Sequence, residues 1–345
     1  MRVLLAARRG LDYNRVRVLL AGLRAVAPEG FETYAFGDRT PEAGRELEAR
    51  ARRCDVIYVP PFRARDVAFA RRHGAGRPVL FDPLIGSTIT RVVDYGWWWR
   101  RPLSRFVDRR DFRRADHLIF DTEAHRAWAV ETFGLSPKRT HVLYIGADTA
   151  AFPEVGAPAR EAGDPLTVGF YGSLAPLQGG EVIVEAAARL AHRPDIRFEF
   201  IGDVDTHPPV RRARERFPEA RITYVPVLPF DELAARLRGY DACLGVFGAS
   251  LKADVVVPNK VYHYAALGKP LVTRDTRGVR ELFGDAEALL VEPTPAALAA
   301  AVERLADEPA LARALGAAAA RRIRAGLTER DIATRFLAIC QAAGS

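Results

Sequence analysis

Three of the chain's four lysines fall between positions 252 and 269, in a sequence that otherwise relies on 47 arginines. Lysine supplies a compact ammonium where arginine supplies a planar fork. Lys252 and Lys260 flank Pro258-Asn259, where a polar loop gives way to a helix expected over Asn259–Leu267. With Asn259 read as the N-cap, Lys260 sits in the first turn, where the helix dipole opposes a cation unless an anion is near. A diphosphate would be such an anion. The plain alternative is three solvated lysines, and Lys269 fits that description.

A second feature lies upstream. The run Gly169-Phe170-Tyr171-Gly172-Ser173-Leu174-Ala175-Pro176-Leu177-Gln178-Gly179-Gly180 leaves a strand and enters a helix. Such a loop points backbone N–H groups and a helix N-terminus at one place, which suits phosphate. A tight strand-to-helix turn also needs glycine for steric reasons alone. No GxGxxG follows the first strand and no GxxxxGK[ST] occurs, so neither a dinucleotide fingerprint nor a P-loop is indicated.

These residues need a scaffold, and the chain alternates short apolar runs with helical periodicity throughout. Strands are expected at Arg2–Ala7, Glu32–Phe36, Asp55–Val59, Pro78–Asp82, His117–Asp121 and His141–Ile145. A second set is expected at Leu166–Tyr171, Arg197–Ile201, Ile222–Val225, Ala242–Phe247, Pro270–Thr273 and Leu289–Val291. Continuous apolar strands between amphipathic helices indicate parallel sheets covered on both faces. The pattern lapses at Phe152–Pro165, read as a linker. The expectation is an α/β protein of two Rossmann-like doubly wound domains, 1–152 and 165–327, facing a central cleft. A last helix within 328–345 is free to pack on either.

Composition narrows the setting. The 345 residues carry 49% hydrophobic and 27% charged side chains, the balance of a folded α/β protein. No apolar run approaches the roughly 18 residues of a spanning helix, and the N-terminal run is too short for a signal peptide. Three isolated cysteines form neither a disulfide framework nor a zinc site, and a reducing cytoplasm is expected. The +8 net charge is uneven: residues 1–150 hold 27 Arg plus Lys against 18 Asp plus Glu, and the remainder 24 against 25. The first half therefore either meets something anionic or reflects an arginine-rich background.

The Pro-Asn-Lys-x-x-x-Tyr-x-Ala-x-Gly-Lys-Pro helix, following the glycine-rich loop and preceding Gly278-Val279-Arg280-Glu281-Leu282, resembles the donor domain of family 4 glycosyltransferases. Val79-Leu80-Phe81-Asp82-Pro83-Leu84, Phe120-Asp121-Thr122 and Tyr144-Ile145-Gly146-Ala147-Asp148 extend the likeness more loosely to the N-terminal half. The resemblance implies the B-type fold, with a last helix crossing back to the first domain. It implies a retaining hexosyltransferase that uses a nucleotide-diphosphate sugar and needs no metal. There are departures. Where the family carries Gly-Arg and Lys-Gly this chain has Ser173 and Gln178, and where it carries a glutamate pair this chain has Val255, beside Asp254, and His263.

On this reading Gly172, Ser173, Lys252 and Lys260 hold the diphosphate, while Gly202, Asn259, His263 and Glu281 meet the nucleoside and sugar. His263 is equally readable as a core histidine. Asp82 is either the catalytic carboxylate that orients the acceptor or a turn aspartate before Pro83. The acceptor is expected to be a glycan or a lipid-linked molecule, in cell-surface glycan or polysaccharide synthesis, with no nucleic acid involved. Arg91–Arg114 carries Tyr95, Trp97, Trp98, Trp99, Phe106 and Phe112 among eight arginines and three aspartates. That mixture suits an anionic membrane interface at the inner face of the membrane, or tryptophans packed beneath arginines that face water. The rival functions are a nucleotide-sugar epimerase and a catalytically silent module that regulates a partner transferase.

Overall fold

The computed structural model describes residues 1–61, 64–84, 86–161, 163–203 and 207–344. The chain divides into two compact units, Met1–Asp148 with Leu327–Ser345, and Thr149–Gly326.

The first unit holds β1 (Val3–Ala7), β2 (Phe31–Ala35), β3 (Val56–Val59), β4 (Val79–Phe81), β5 (His117–Phe120) and β6 (Thr140–Val142). They form one sheet in the order β2-β1-β3-β4-β5-β6, each strand running parallel to its neighbours. Successive side chains on a strand face opposite ways. Leu4, Ala6, Ile57 and Val59 accordingly enter one apolar cluster, and Val3, Leu5, Val56 and Tyr58 enter the other. The last helix, Glu329–Gly344, completes the second cluster with Ile332, Ala333, Phe336 and Cys340. It lies so close to the helix Asn14–Val26 that a Cβ on Gly22 would stand 1.9 Å from the Glu329 carbonyl oxygen.

The second unit holds β7 (Leu166–Tyr171), β8 (Ile196–Ile201), β9 (Ile222–Val225), β10 (Ala242–Leu244), β11 (Leu271–Arg274) and β12 (Leu289–Val291). Their order is β12-β11-β10-β7-β8-β9, again parallel. In such sheets ligands bind beyond the carboxyl ends of the strands, where the winding changes direction. That point lies between β7 and β10 here, and between β1 and β3 in the first unit.

Three local expectations need correction. The stretch 152–165 is no free tether. Phe152 is buried, and the N–H groups of Val155 and Gly156 donate to the Leu267 carbonyl at 3.0 and 2.9 Å. The segment after β10 is not a plain loop, because Ser250 caps a short helix, Leu251–Val255, by accepting from the Ala253 N–H at 3.2 Å. The helix Asn259–Leu267 takes Pro258 as its N-cap, leaving Asn259 at the first helical position.

Candidate functional site

The glycine-rich loop begins where β7 and β8 end side by side. The Gly172 N–H donates to the Ile201 carbonyl at 2.9 Å. Gly202 follows β8, and a Cβ there would meet the Gly172 carbonyl oxygen at 2.1 Å. No larger residue fits either position, because φ is +156° at Gly172 and +153° at Gly202. Gln178 then folds the loop back, its Oε1 accepting from the Leu174 N–H at 3.0 Å. Ser173 stays exposed at the tip, 3.5 Å from Gln178 Nε2. Gln178 thus occupies an expected cation position but acts on the loop's own backbone.

The loop is tied to the strand on the far side of the switch point. The Phe247 N–H donates to the Gln178 carbonyl at 3.0 Å, and the Gly248 N–H to the Leu177 carbonyl at 3.0 Å. This brings the short helix with Lys252 against the turn Pro176–Gln178. The Lys252 side chain is buried. Arg274, at the end of β11, donates to the Gly248 carbonyl at 2.7 Å, adding a cation that the sequence pattern did not single out.

Lys260 reaches the centre of this arrangement. Its Nζ lies 3.6 Å from the centroid of the Phe170 ring, and a Cβ on Gly172 would stand 2.9 Å from it. The side chain is only 3% exposed, and among the described residues Nζ has no hydrogen-bond partner. Burial holds its pKa well below the ordinary lysine value. The face of an aromatic ring compensates part of the lost hydration but does not replace an anion. A buried lysine side chain two residues into a helix, without a hydrogen-bond partner for Nζ among the described residues and facing a glycine loop, holds its proton more readily once a negatively charged group lies beside it.

The remaining residues are placed differently. His263 is a core histidine: it stacks on Phe152 at 3.9 Å, and its Nδ1 lies 2.7 Å from the Tyr171 hydroxyl. Burial pushes its pKa down to about 3, so the ring is neutral near pH 7. Its 2% exposure leaves no edge free for a ribose. Glu281 is half-buried at the end of the helix Arg277–Arg280, whose Gly278 abuts the Val255 carbonyl. Asp254 pairs with Arg277 at 2.7 Å. Lys269 donates to the Arg238 carbonyl at 2.7 Å, a structural role.

In the first unit Asp82, read as either an acceptor-orienting carboxylate or a turn aspartate, is fully buried. It forms an ion pair with Arg15 and accepts from the Tyr58 hydroxyl at 2.9 Å. Burial raises its pKa against the opposing pull of Arg15. Burial also disfavours the Arg15 charge, yet Asp82 holds that guanidinium above its ordinary value. Sequence spacing could not reveal this pair, because its members are 67 positions apart. The expected interfacial segment is exposed: Trp98 at 75%, Trp99 at 60% and Phe106 at 65%, whereas Phe112 is buried. No helix among the described residues is long and apolar enough to cross a membrane.

Comparison with known proteins adds to this geometry. Residues 179–338 match the family described as glycosyl transferase-like. The chain is 27% identical to an MMP alpha-(1->4)-mannosyltransferase of Mycolicibacterium hassiacum, over 71% of this chain and 60% of that protein. It is 28% identical to a D-inositol 3-phosphate glycosyltransferase of Kineococcus radiotolerans, over 64% of this chain and 56% of that one. It thus spans less than two thirds of the length of either relative. Among solved structures, Anabaena HepE in complex with UDP covers 99% of this chain and 100% of its own at a TM-score of 0.74 and 13% identity. Sucrose-phosphate synthase from Thermosynechococcus elongatus covers 99% and 98% at 0.73 and 15% identity.

The fold is that of the B-type glycosyltransferases. Within that fold the glycine loop and Lys260 occupy the carboxyl end of the second unit's sheet, at its switch point.

Proposed function

We propose that this protein transfers a hexosyl group from a nucleotide-diphosphate sugar to an acceptor hydroxyl, with retention at the anomeric carbon. The observation that carries the reading is the buried Lys260 Nζ beside Gly172, without a hydrogen-bond partner among the described residues. As the bond from C1 to the diphosphate oxygen breaks, negative charge grows on that oxygen, and a fixed cation there favours the transition state over the ground state. The acceptor oxygen forms the new bond to C1, and its proton passes to the departing diphosphate. Lys252 and the loop N–H groups complete the diphosphate cradle, and Gly202, Asn259 and Glu281 border the nucleoside and sugar. Because the cation is supplied by lysine, no metal is required in this scheme.

The sequence likeness to two sugar transferases supports the reaction class, and the UDP held by HepE makes a uridine nucleotide the first donor to try. We place the protein in the cytoplasm and at the inner face of the membrane, through the exposed Trp98, Trp99 and Phe106 with their neighbouring arginines. A lipid-linked acceptor of surface-glycan synthesis would be reached from there. A thermal-shift screen with nucleotide sugars, followed by sugar release in the absence of acceptor, tests the reading. Stabilisation by at least one donor, with slow release of its sugar, is expected. No response to any common nucleotide sugar would instead favour a silent module.

A further inference from the structure

The first unit carries a charged site of its own. A cavity of about 640 Å³ is lined by Arg8, Arg9, Arg39, Ala64, Arg65, Asp66 and Arg91, five guanidinium groups around a single carboxylate. Its parts come from four separate strand-to-helix segments. Arg8 and Arg9 follow β1, Arg39 follows β2, Arg65 and Asp66 open the helix Ala64–His73 after β3, and Arg91 lies in the helical segment Thr88–Asp94 after β4. All leave the carboxyl edge of the sheet, and β1 and β3 border its switch point, the position where sheets of this winding hold ligands.

The cluster is built rather than merely basic. Asp66 is 1% exposed and spends its charge inside the wall. Its Oδ2 accepts from the Arg8 N–H at 2.9 Å, and its Oδ1 accepts from Arg39 Nε at 2.9 Å. Arg8 is fixed in turn by the Gly37 carbonyl at 2.7 Å and by Asp38. By contrast, Arg65 and Arg91 have no side-chain hydrogen bond or ion pair among the described residues. Two guanidinium groups in reserve beside two that are anchored, all around one concavity, match a phosphate-type dianion, which arginine binds through paired N–H donors.

We infer that this cavity binds a phosphate group of the acceptor, so the sugar is transferred to a phosphorylated molecule. Naming it as the acceptor's rests on the transferase reading, whereas phosphate binding by the cavity does not. The group belongs either to a soluble phosphorylated compound or to a lipid headgroup. The test uses inorganic phosphate and phosphatidylcholine vesicles containing phosphatidic acid, measured on the Lys260→Met protein so that Lys260 contributes nothing and the first-unit arginines are read by difference. Titration calorimetry is expected to show phosphate binding that the further changes Arg65→Gln and Arg91→Gln weaken by about tenfold together. Both side chains are exposed and unpartnered, so an unchanged melting temperature is expected.

Vesicle binding that free phosphate competes away, and that the same two changes weaken, identifies a lipid headgroup. Phosphate binding that depends on the two arginines, with vesicle binding that does not, identifies a soluble acceptor. Phosphate affinity indifferent to Arg65 and Arg91 overturns the inference. Absence of donor turnover in the wild-type protein, alongside arginine-dependent phosphate binding, would remove the transferase reading and leave the anion site standing.

Discussion

Arg15 and Lys260 are the same device set in two different surroundings. Each is the second residue of a helix that opens with asparagine, Asn14–Val26 and Asn259–Leu267, and each is 2–3% exposed. Both place a cation where the helix dipole is unfavourable. Arg15 is matched by Asp82, and Tyr58 adds a hydrogen bond to the same oxygen. Lys260 meets aromatic faces and a glycine loop, and among the described residues its Nζ has no hydrogen-bond partner. A buried cation with a resident carboxylate is part of the architecture. One without an anion carries a desolvation cost that a bound anion would offset.

That contrast can be broken by removing charges. The largest effect belongs to the paired site. Asp82→Asn leaves Arg15 buried without compensation and should cost about 3–5 kcal/mol in denaturant unfolding. Combining Arg15→Met with Asp82→Leu should recover most of that loss; no recovery would mean that the pair does more than balance its own charges. Acid comes next. His263 has a folded pKa of about 3 against an ordinary 6.5, so its contribution is complete above pH 6.5 and declines as pH falls towards 3. By pH 4 the loss is roughly 3 kcal/mol. Unfolding midpoints from pH 7 to pH 4 should fall less steeply in His263→Gln, and an unchanged slope would assign the acid sensitivity elsewhere.

Smaller effects sharpen the unpaired site. Gly172→Ala puts a methyl 2.3 Å from Gln178 Oε1 and 2.9 Å from Lys260 Nζ, so the loop must shift. Donor turnover should fall by about tenfold or more, with a stability change of only about 1–2 kcal/mol. The smallest expected effect is that of a chelator: turnover should survive excess EDTA, and loss restored by a divalent cation would contradict a lysine-based cradle.

Much of this was legible in the residues. Each of the twelve strands overlaps the apolar run that had placed it, because a parallel strand covered on both faces announces itself locally, though β6 and β10 end at Val142 and Leu244 rather than at Ile145 and Phe247. Pattern suggested phosphate separately for Lys252 with Lys260 and for the Gly172 loop, the family resemblance joined them, and the fold brings Lys260 to Gly172. What stayed hidden were partners set by tertiary crossover. Arg15 with Asp82 and Tyr171 with His263 are separated by 67 and 92 positions, and no local periodicity encodes such a pairing. The short helix that carries Lys252 was hidden for another reason: at five residues it relies on its Ser250 cap and on packing, not on an amphipathic repeat. The cavity around Asp66 left only a trace, the surplus of arginine in the first 150 residues.

The claim that Lys260 awaits a diphosphate is tested most directly by calorimetry with UDP and GDP, each against its nucleoside, on wild type and Lys260→Met. The account predicts that the tighter nucleotide loses about tenfold to a hundredfold in affinity, the worth of a charged hydrogen bond. Binding of its nucleoside should be untouched, and the free variant should be no less stable than wild type. Equal diphosphate affinity in the two proteins would contradict the account.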